Sequence, residues 1–414
     1  MQIYRVGGAV RDRLLNYPSS ENDWVVVGAS PQQLIDRGYR PVGRDFPVFI
    51  HPQSGEEYAL ARTERKSGHG YGGFTFYTAS NITLIDDLQR RDLTINAIAE
   101  DSDGRLIDPY NGQRDLNNKI LRHVSDAFLE DPLRVLRTAR FAARYHHLGF
   151  SIASETMDAM RALVNSGEME HLVAERVWRE TQRALGEQTP QVYFQTLRDC
   201  GALSCILPEV DRLFGVAQRP DFHPEIDTGV HTMMALEQAA KLSDDCSVRF
   251  AVLVHDVGKG ITPADVLPRH TGHEARGLPL VKTLCERLKV PNEYRKLALV
   301  VTEYHLQCHR AADLKVETLL NLLRDAGALK SSAKLEPFLL SCEADARGRL
   351  GLENRHYSSP NYLRRAQSAL ATVSIADLVS SGAAGDEIGR QLHNRQIARL
   401  TEFKQTNQPY NGDP

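Results

Sequence analysis

The sequence predicts an α+β fold, with a mixed strand-and-helix head over residues 1–122 followed by an all-helical remainder. Two observations predict it. Short apolar runs bounded by turn residues recur through the first 122 positions, as expected of strands joined by turns and short helices. From Asp131 onward, long stretches carry helical periodicity with few strand signals. In the head, Ile3–Val6, Trp24–Val27, Pro47–Ile50 and Glu57–Ala61 read as strands, with Arg11–Leu15 and Pro31–Arg37 as helices between them. Ser67–Gly73 holds too many glycines for regular structure and reads as a mobile loop. Pro132–Tyr145, Ala174–Leu185 and Tyr193–Cys200 read as helices, and Gln405–Pro414 as a frayed polar end.

With 414 residues, 42% hydrophobic and 25% charged, the chain has an ordinary globular composition and room for about two to four domains. No apolar stretch approaches the roughly 20 residues of a membrane-spanning helix, so no membrane partner is expected. Met1–Val6 run straight into a glycine turn, so no signal peptide is expected either. The six cysteines lack CxxC spacing, which argues against a zinc ribbon or a disulfide framework. Cytoplasm is the plain reading. A net charge of −3 means that a nucleic-acid partner has to be met by a local basic surface.

Gly7-Gly8-Ala9-Val10-Arg11-Asp12 is a glycine turn entering a helix, which offers backbone N–H groups to a phosphate. Glu21-Asn22-Asp23 then opens the apolar run Trp24–Val27. Carboxylates at i and i+2 entering a strand point to one side and can share a hard divalent cation. By themselves Glu21 and Asp23 also suit a polar turn; next to Gly8 and Arg11 they describe a nucleoside triphosphate site held by Mg²⁺.

Arg90-Arg91-Asp92 precedes Leu93–Ile98, with Asp92 suited to capping a helix start. Arg91 at such a start opposes the helix dipole unless an anion is nearby. In Glu130–Phe141, Arg134, Arg137 and Arg140 recur every third residue and fan across one helix face, and Asp131 extends that face by one step. A solvated charge stripe is the ordinary explanation, and Asp131-Pro132 is also a good cap pair. One carboxylate with three guanidiniums nevertheless matches the needs of a base edge plus a triphosphate.

In combination, GGAVRD (7–12), the ExD at 21–23, RRDLTINAIA (90–99) and EDPLRVLRTARF (130–141) resemble the class II CCA-adding tRNA nucleotidyltransferases of the polymerase β superfamily, and in particular the long bacterial members that carry an HD domain. The resemblance implies a polymerase β-like head (1–122), a helical neck (123–222), an HD domain (223–350) and a helical tail (351–414). It implies that Glu21 and Asp23 hold Mg²⁺ and that Gly8, Arg11 and Arg91 contact the incoming nucleotide. Asp131 and Arg134 would read the Watson–Crick edge of CTP or ATP, with Arg137 and Arg140 completing the site and loop 67–73 switching from C to A addition. The implied partners are tRNA, CTP and ATP, with the chain a monomer or homodimer. The family usually has Asp at position 21, and the extra methylene of Glu21 alters the metal geometry.

His255-Asp256 closes the apolar stretch Phe250–Val254, with His231 before it and His270, His273, His305 and His309 after it. A histidine in an apolar stretch is usually a satisfied core residue, but one beside an aspartate and among other histidines suits a metal. The segment resembles the HD phosphohydrolases, whose ligand order His, His-Asp, Asp is met by His231, His255 and Asp256, with Asp345 preferred to Asp313 as the last. His273 and His305 fit a second metal, the substrate phosphate or a surface role. The resemblance implies phosphatase, 2′-nucleotidase and 2′,3′-cyclic phosphodiesterase activity with Ni²⁺ or another divalent transition metal. The rival readings are a bacterial poly(A) polymerase, an HD phosphohydrolase with a regulatory nucleotide-binding head, and an RNA-binding protein.

Overall fold

The computed structural model describes residues 1–18, 22–42, 48–66, 74–77, 81–374 and 386–407. Glu21 and the loop 67–73 lie outside the described residues, as does 408–414 of the predicted frayed end. The chain divides into two compact units, Met1–Ile206 and Leu207–Pro414.

In the first unit, β1 (Gln2–Val6) and β2 (Asp23–Val27) pair antiparallel at the centre of a seven-stranded sheet. The other strands of that sheet are β3 (Arg40–Val42), β4 (Val48–Ile50), β5 (Glu57–Leu60), β8 (Ala99–Glu100) and β9 (Leu106–Ile107). In a separate two-stranded sheet, β6 (Thr63–Lys66) pairs antiparallel with β7 (Phe74–Tyr77). The sheet order is β3-β4-β5-β2-β1-β8-β9, and only β2 and β5 run parallel.

The unbroken apolar run of β2 follows from burial on both faces. Successive residues point to opposite sides, so Val25 packs with Val6, Ala61 and Leu88, whereas Val26 packs with Leu34, Phe49 and Tyr58. The short helices of this unit are α1 (Gly8–Leu14), α2 (Pro31–Ile35), α3 (Leu84–Gln89) and α4 (Gly112–Asn118). Ser30 with Gln33 and Thr83 with Asp86 form capping boxes at α2 and α3. The predicted helix at 11–15 begins three residues earlier, because Gly7 serves as its N-cap.

Two-stranded β10 (Ile120–Leu121) and β11 (Ser151–Ile152) bracket α5 (Leu133–Tyr145), which is followed by α6 (Ser154–Asn165), α7 (Ala174–Leu185), α8 (Gln191–Asp199) and α9 (Ala202–Ile206). Phe141 and Tyr145 of α5 share a core with Val10, Leu93 and Ile98. The Tyr145 hydroxyl donates to Asp12 Oδ1 at 2.8 Å. The sheet and α5 are thus parts of one packed body, and that packing sets the geometry of the cleft described below.

The second unit is helical: α10 (Pro208–Asp211), α11 (Thr228–Leu242), α12 (Cys246–Val254), α13 (His273–Arg287), α14 (Asn292–His309), α15 (Val316–Asp325), α16 (Glu336–Arg347), α17 (Ser359–Leu370) and α18 (Asp386–Thr406). Asp227 and Asp245 cap α11 and α12 with side-chain acceptors. α12 and α16 pack on each other and each packs on both α11 and α14, and α13 packs on α14. Among the described residues no helix is long and apolar enough to cross a membrane.

Candidate functional sites: an arginine-lined cleft and a buried histidine–aspartate cluster

A cleft of about 800 Å³ opens in the first unit, and Gly8, Arg11, Asp23, Arg91, Asp131, Arg134, Arg137 and Arg140 all line it. Gly7 has φ +67°, and a Cβ there would lie 2.7 Å from Arg91 Nη1 and 3.7 Å from Asp23 Oδ2. The absent side chain is what lets the turn, the guanidinium and the carboxylate converge. Asp23 is exposed at the start of β2, in register with Glu57 of β5. Glu57, also exposed, lines the same cleft. Parallel neighbours about 4.8 Å apart place two carboxylates on one face, a donor set of hard oxygens suited to Mg²⁺. The strand at 57–61 is legible in the sequence; that it lies beside β2 is not, and Glu57 is missed for that reason.

The basic groups are held by a continuous polar chain. Arg11 donates from Nε to Asp12 Oδ1 at 2.8 Å and from Nη1 to Asn96 Oδ1. Asn96 Nδ2 donates to Asp92 Oδ1 at 2.8 Å, and Asp92 Oδ2 accepts from Arg137 Nε at 2.7 Å. Arg140 Nε donates to Glu180 Oε2 at 2.6 Å. Arg134 donates to the carbonyls of Ala127 (2.8 Å) and Arg90 (2.6 Å), which bolts the foot of α5 to the segment after α3.

Two sequence expectations need correction. Arg91 does not stand at a helix start: it follows the C-terminus of α3, where a cation suits the dipole, and its Nη2 pairs with Asp87 at 3.2 Å. Asp92 does not cap a helix: the short turn Thr94–Asn96 has Leu93 at its N-cap, and Asp92 instead anchors Arg137. Asp131 keeps a capping contact one residue outside the position expected. Pro132 is the N-cap of α5, Asp131 Oδ1 accepts from the Leu133 N–H at 3.0 Å, and Oδ2 pairs with Arg176 at 3.3 Å.

Burial works against the charge of Asp92, but Arg137 and the Asn96 amide outweigh it and hold the carboxyl well below the usual range. A depressed folded pKa gives stability that is present above the unfolded value of 3.8 and lost as pH falls through the folded one. This pair therefore adds no pH slope between pH 5 and 8. Arg137→Ala leaves the carboxylate without its cation, and urea titrations at neutral pH should show the first unit destabilised by about 2–3 kcal/mol.

In the second unit, His231, His255, Asp256, His273, His305 and Asp345 converge, each 4% exposed or less. His231 comes from α11, His255 and Asp256 from the end of α12, His273 from the start of α13, His305 from α14 and Asp345 from α16. His231 Nε2 lies 3.0 Å from Asp345 Oδ1, and His255 Nε2 lies 3.2 Å from Asp256 Oδ2 and 3.7 Å from Asp345 Oδ1. His273 Nε2 and His305 Nε2 approach Asp256 Oδ1 at 3.1 and 3.6 Å. The surface role considered for His273 and His305 is thereby excluded. His309 Nε2 meets the other oxygen of Asp345 at 2.7 Å, and Lys259 Nζ meets Asp256 Oδ2 at 2.6 Å.

The ligand atoms of His231, His255 and Asp256 lie within 4.8 Å of one another, as do those of His255, His305 and Asp345 and those of Asp256, His273 and His305. His255 Nε2 and Asp256 Oδ1 are buried with no well-aligned hydrogen-bond partner among the described residues. Orphaned donors of this kind, nitrogen and oxygen together, fit a divalent transition metal. Burial opposes charge on His255, yet Asp256 and Asp345 raise its pKa to about 10, and an ion held between the two carboxylates would take the place of that proton. Asp313 lies instead in a separate short turn, Ala311–Asp313.

The segment after Asp256 is packed just as tightly. A Cβ on Gly258 would overlap the carbonyl of His273 and lie 2.7 Å from Gly277 N. Gly258→Ala should cost about 1–3 kcal/mol and displace His273; a lowered thermal midpoint together with weakened metal binding checks this.

Comparison with known proteins bears on both sites. Family models match residues 3–122 (Poly A polymerase head domain), 149–214 (probable RNA and SrmB-binding site of polymerase A) and 228–343 (HD domain). A multifunctional CCA protein of Thioalkalivibrio sulfidiphilus is 56% identical over 404 residues, 98% of this chain and 99% of that one. The chain belongs to the multifunctional CCA protein family. Another member, from Pseudomonas fluorescens, is 56% identical over 99% of this chain and 100% of its own length. Within the family the first unit carries the polymerase-type head; His231, His255, Asp256, His273 and His305 fall within the HD-domain match, and Asp345 lies two residues beyond its end. Solved structures share the fold: an apo CCA-adding enzyme matches with a TM-score of 0.65 at 19% identity, over 96% of this chain and 88% of that one. The Bacillus stearothermophilus CCA-adding enzyme in complex with CTP matches with 0.63 at 24% identity, over 98% and 93%.

Proposed function

We propose that this enzyme adds and repairs the 3′-terminal CCA of tRNA from CTP and ATP without a nucleic-acid template, releasing pyrophosphate. The observation that carries the reading is that Asp131 and Arg134, at the foot of α5, line the same cleft as Asp23 and Gly8. A carboxylate and a guanidinium together offer the acceptors and donors that match the Watson–Crick edges of C and A. Gly8 and Arg11 hold the triphosphate, and Arg91, Arg137 and Arg140 complete the nucleotide site. Asp23, with Glu21 by sequence and Glu57 across the sheet, would hold Mg²⁺, which when bound activates the attacking hydroxyl and neutralises the leaving pyrophosphate. The protein side chains orient the tRNA 3′ hydroxyl in line with the α-phosphate.

The second unit is proposed to hydrolyse phosphate monoesters and 2′,3′-cyclic phosphates. His231, His255, Asp256 and Asp345 would hold Ni²⁺ or a similar ion, which supplies an activated water. His273 and His305 serve a second ion or the substrate phosphate. The finer division at 122, 222 and 350 and a cytoplasmic location belong to the same proposal, whereas the oligomeric state, monomer or homodimer, is left to measurement.

A tRNA lacking its 3′ end, incubated with CTP and ATP, should gain C, C and A and stop. A long A tract without CTP use would identify a poly(A) polymerase instead. Phosphatase activity without pyrophosphate release would identify a hydrolase with a regulatory head.

A further inference from the structure

We propose that Glu225 is a positioning residue for the HD site, orienting His231 through its distal ring nitrogen. The inference rests on the reading that the histidine–aspartate cluster binds a metal. His231 presents Nε2 to Asp345 at 3.0 Å and thus to the cluster. Its Nδ1 faces the opposite way, 3.0 Å from Glu225 Oε1 and 3.0 Å from the Gly348 carbonyl. With an ion shared by Nε2 and Asp345, the ring proton belongs on Nδ1, where Glu225 and the Gly348 carbonyl are both placed to accept it. A carboxylate behind a ligating imidazole fixes its tautomer and ring orientation and increases its basicity.

Glu225 is itself held in place. Its Oε1 also meets His223 Nδ1 at 2.9 Å, and its Oε2 accepts from the Leu350 N–H at 3.3 Å. The chain around it is stitched by bonds from Gln218 N to Ile226 O (2.8 Å) and from Thr228 N to Val216 O (3.0 Å). The next residue, Ile226, has φ +62°. A β-branched side chain in that region is strained, so the loop accepts a cost to hold the turn that presents Glu225 beneath His231. The role is invisible in sequence, where Glu225 is one acid in a polar loop; the signal appears only when α11 and the segment after α16 close around it.

Co²⁺ titrated into the full chain in an Asp23→Ala background, followed by its visible absorption, isolates the HD site. Glu225→Ala should weaken Co²⁺ binding about 10- to 100-fold and alter the ligand-field bands. Glu225→Gln retains an acceptor for His231 and should lose less than about 10-fold. The metal-free melting temperature of each variant separates a lost fold from a lost orientation, and where the alanine variant does not fold the glutamine variant decides through its shifted bands. Unchanged affinity and spectrum in both variants would overturn the role of Glu225. If the parent binds no Co²⁺, or if His255→Ala leaves binding intact, the metal reading itself fails.

Discussion

Replacing Asp23 with alanine should lower CMP incorporation into tRNA lacking its 3′ end by on the order of 10³-fold or more, a barrier increase of about 4 kcal/mol. The loss follows from where the carboxylate stands. It projects from the start of β2 into the arginine-lined cleft, beside the glycine turn and in register with Glu57. The guanidiniums of Arg11, Arg91 and Arg137, which line the same cleft, would attract a triphosphate but cannot organise an attacking hydroxyl. Without Asp23 the site still binds anions, so the defect should fall mainly on kcat and only weakly on KM. Hydrolysis of 2′,3′-cyclic nucleotides, proposed for the second unit, should be retained in the same preparation. Incorporation at the wild-type rate would remove Asp23 from the metal site.

His255→Ala should do the reverse, abolishing cyclic phosphodiesterase activity by on the order of 10³-fold while CCA addition continues. His255 supplies a buried nitrogen between two carboxylates, and its removal leaves Asp256 and Asp345 without the imidazole between them. Two consequences are measurable. Ni²⁺ at a hundredfold excess over its dissociation constant should stabilise the wild-type second unit by about 2.7 kcal/mol, and this gain should vanish in the variant. Chelation should lower the wild-type midpoint toward that of His255→Ala. Equal turnover by both proteins would exclude the cluster as the hydrolytic site.

Much of this was legible before folding was considered. The strands at 3–6, 24–27 and 57–61 announce themselves through apolar runs, and the helix carrying Arg134, Arg137 and Arg140 through its three-residue spacing. The adjacency of His255 and Asp256 is likewise local. At Arg91 a helix end and a helix start look alike when only the downstream residues are read. The capping box at Thr83 and Asp86, a few residues upstream, is the signal that locates α3 and turns Arg91 into a C-terminal residue.

What the sequence determined by itself is the inventory: a glycine turn, an acidic strand start, an arginine helix and a histidine–aspartate pair, each specified within a few residues by backbone and side-chain chemistry. What only the tertiary structure decided is which groups share a site. Glu57 meets Asp23 because β5 pairs parallel with β2, Asp92 anchors Arg137 across 45 positions, and Asp345 meets His231 across 114. Such pairings arise from burying sheet and helix faces against one another, an energy summed over the whole core, so no local pattern of residues encodes them.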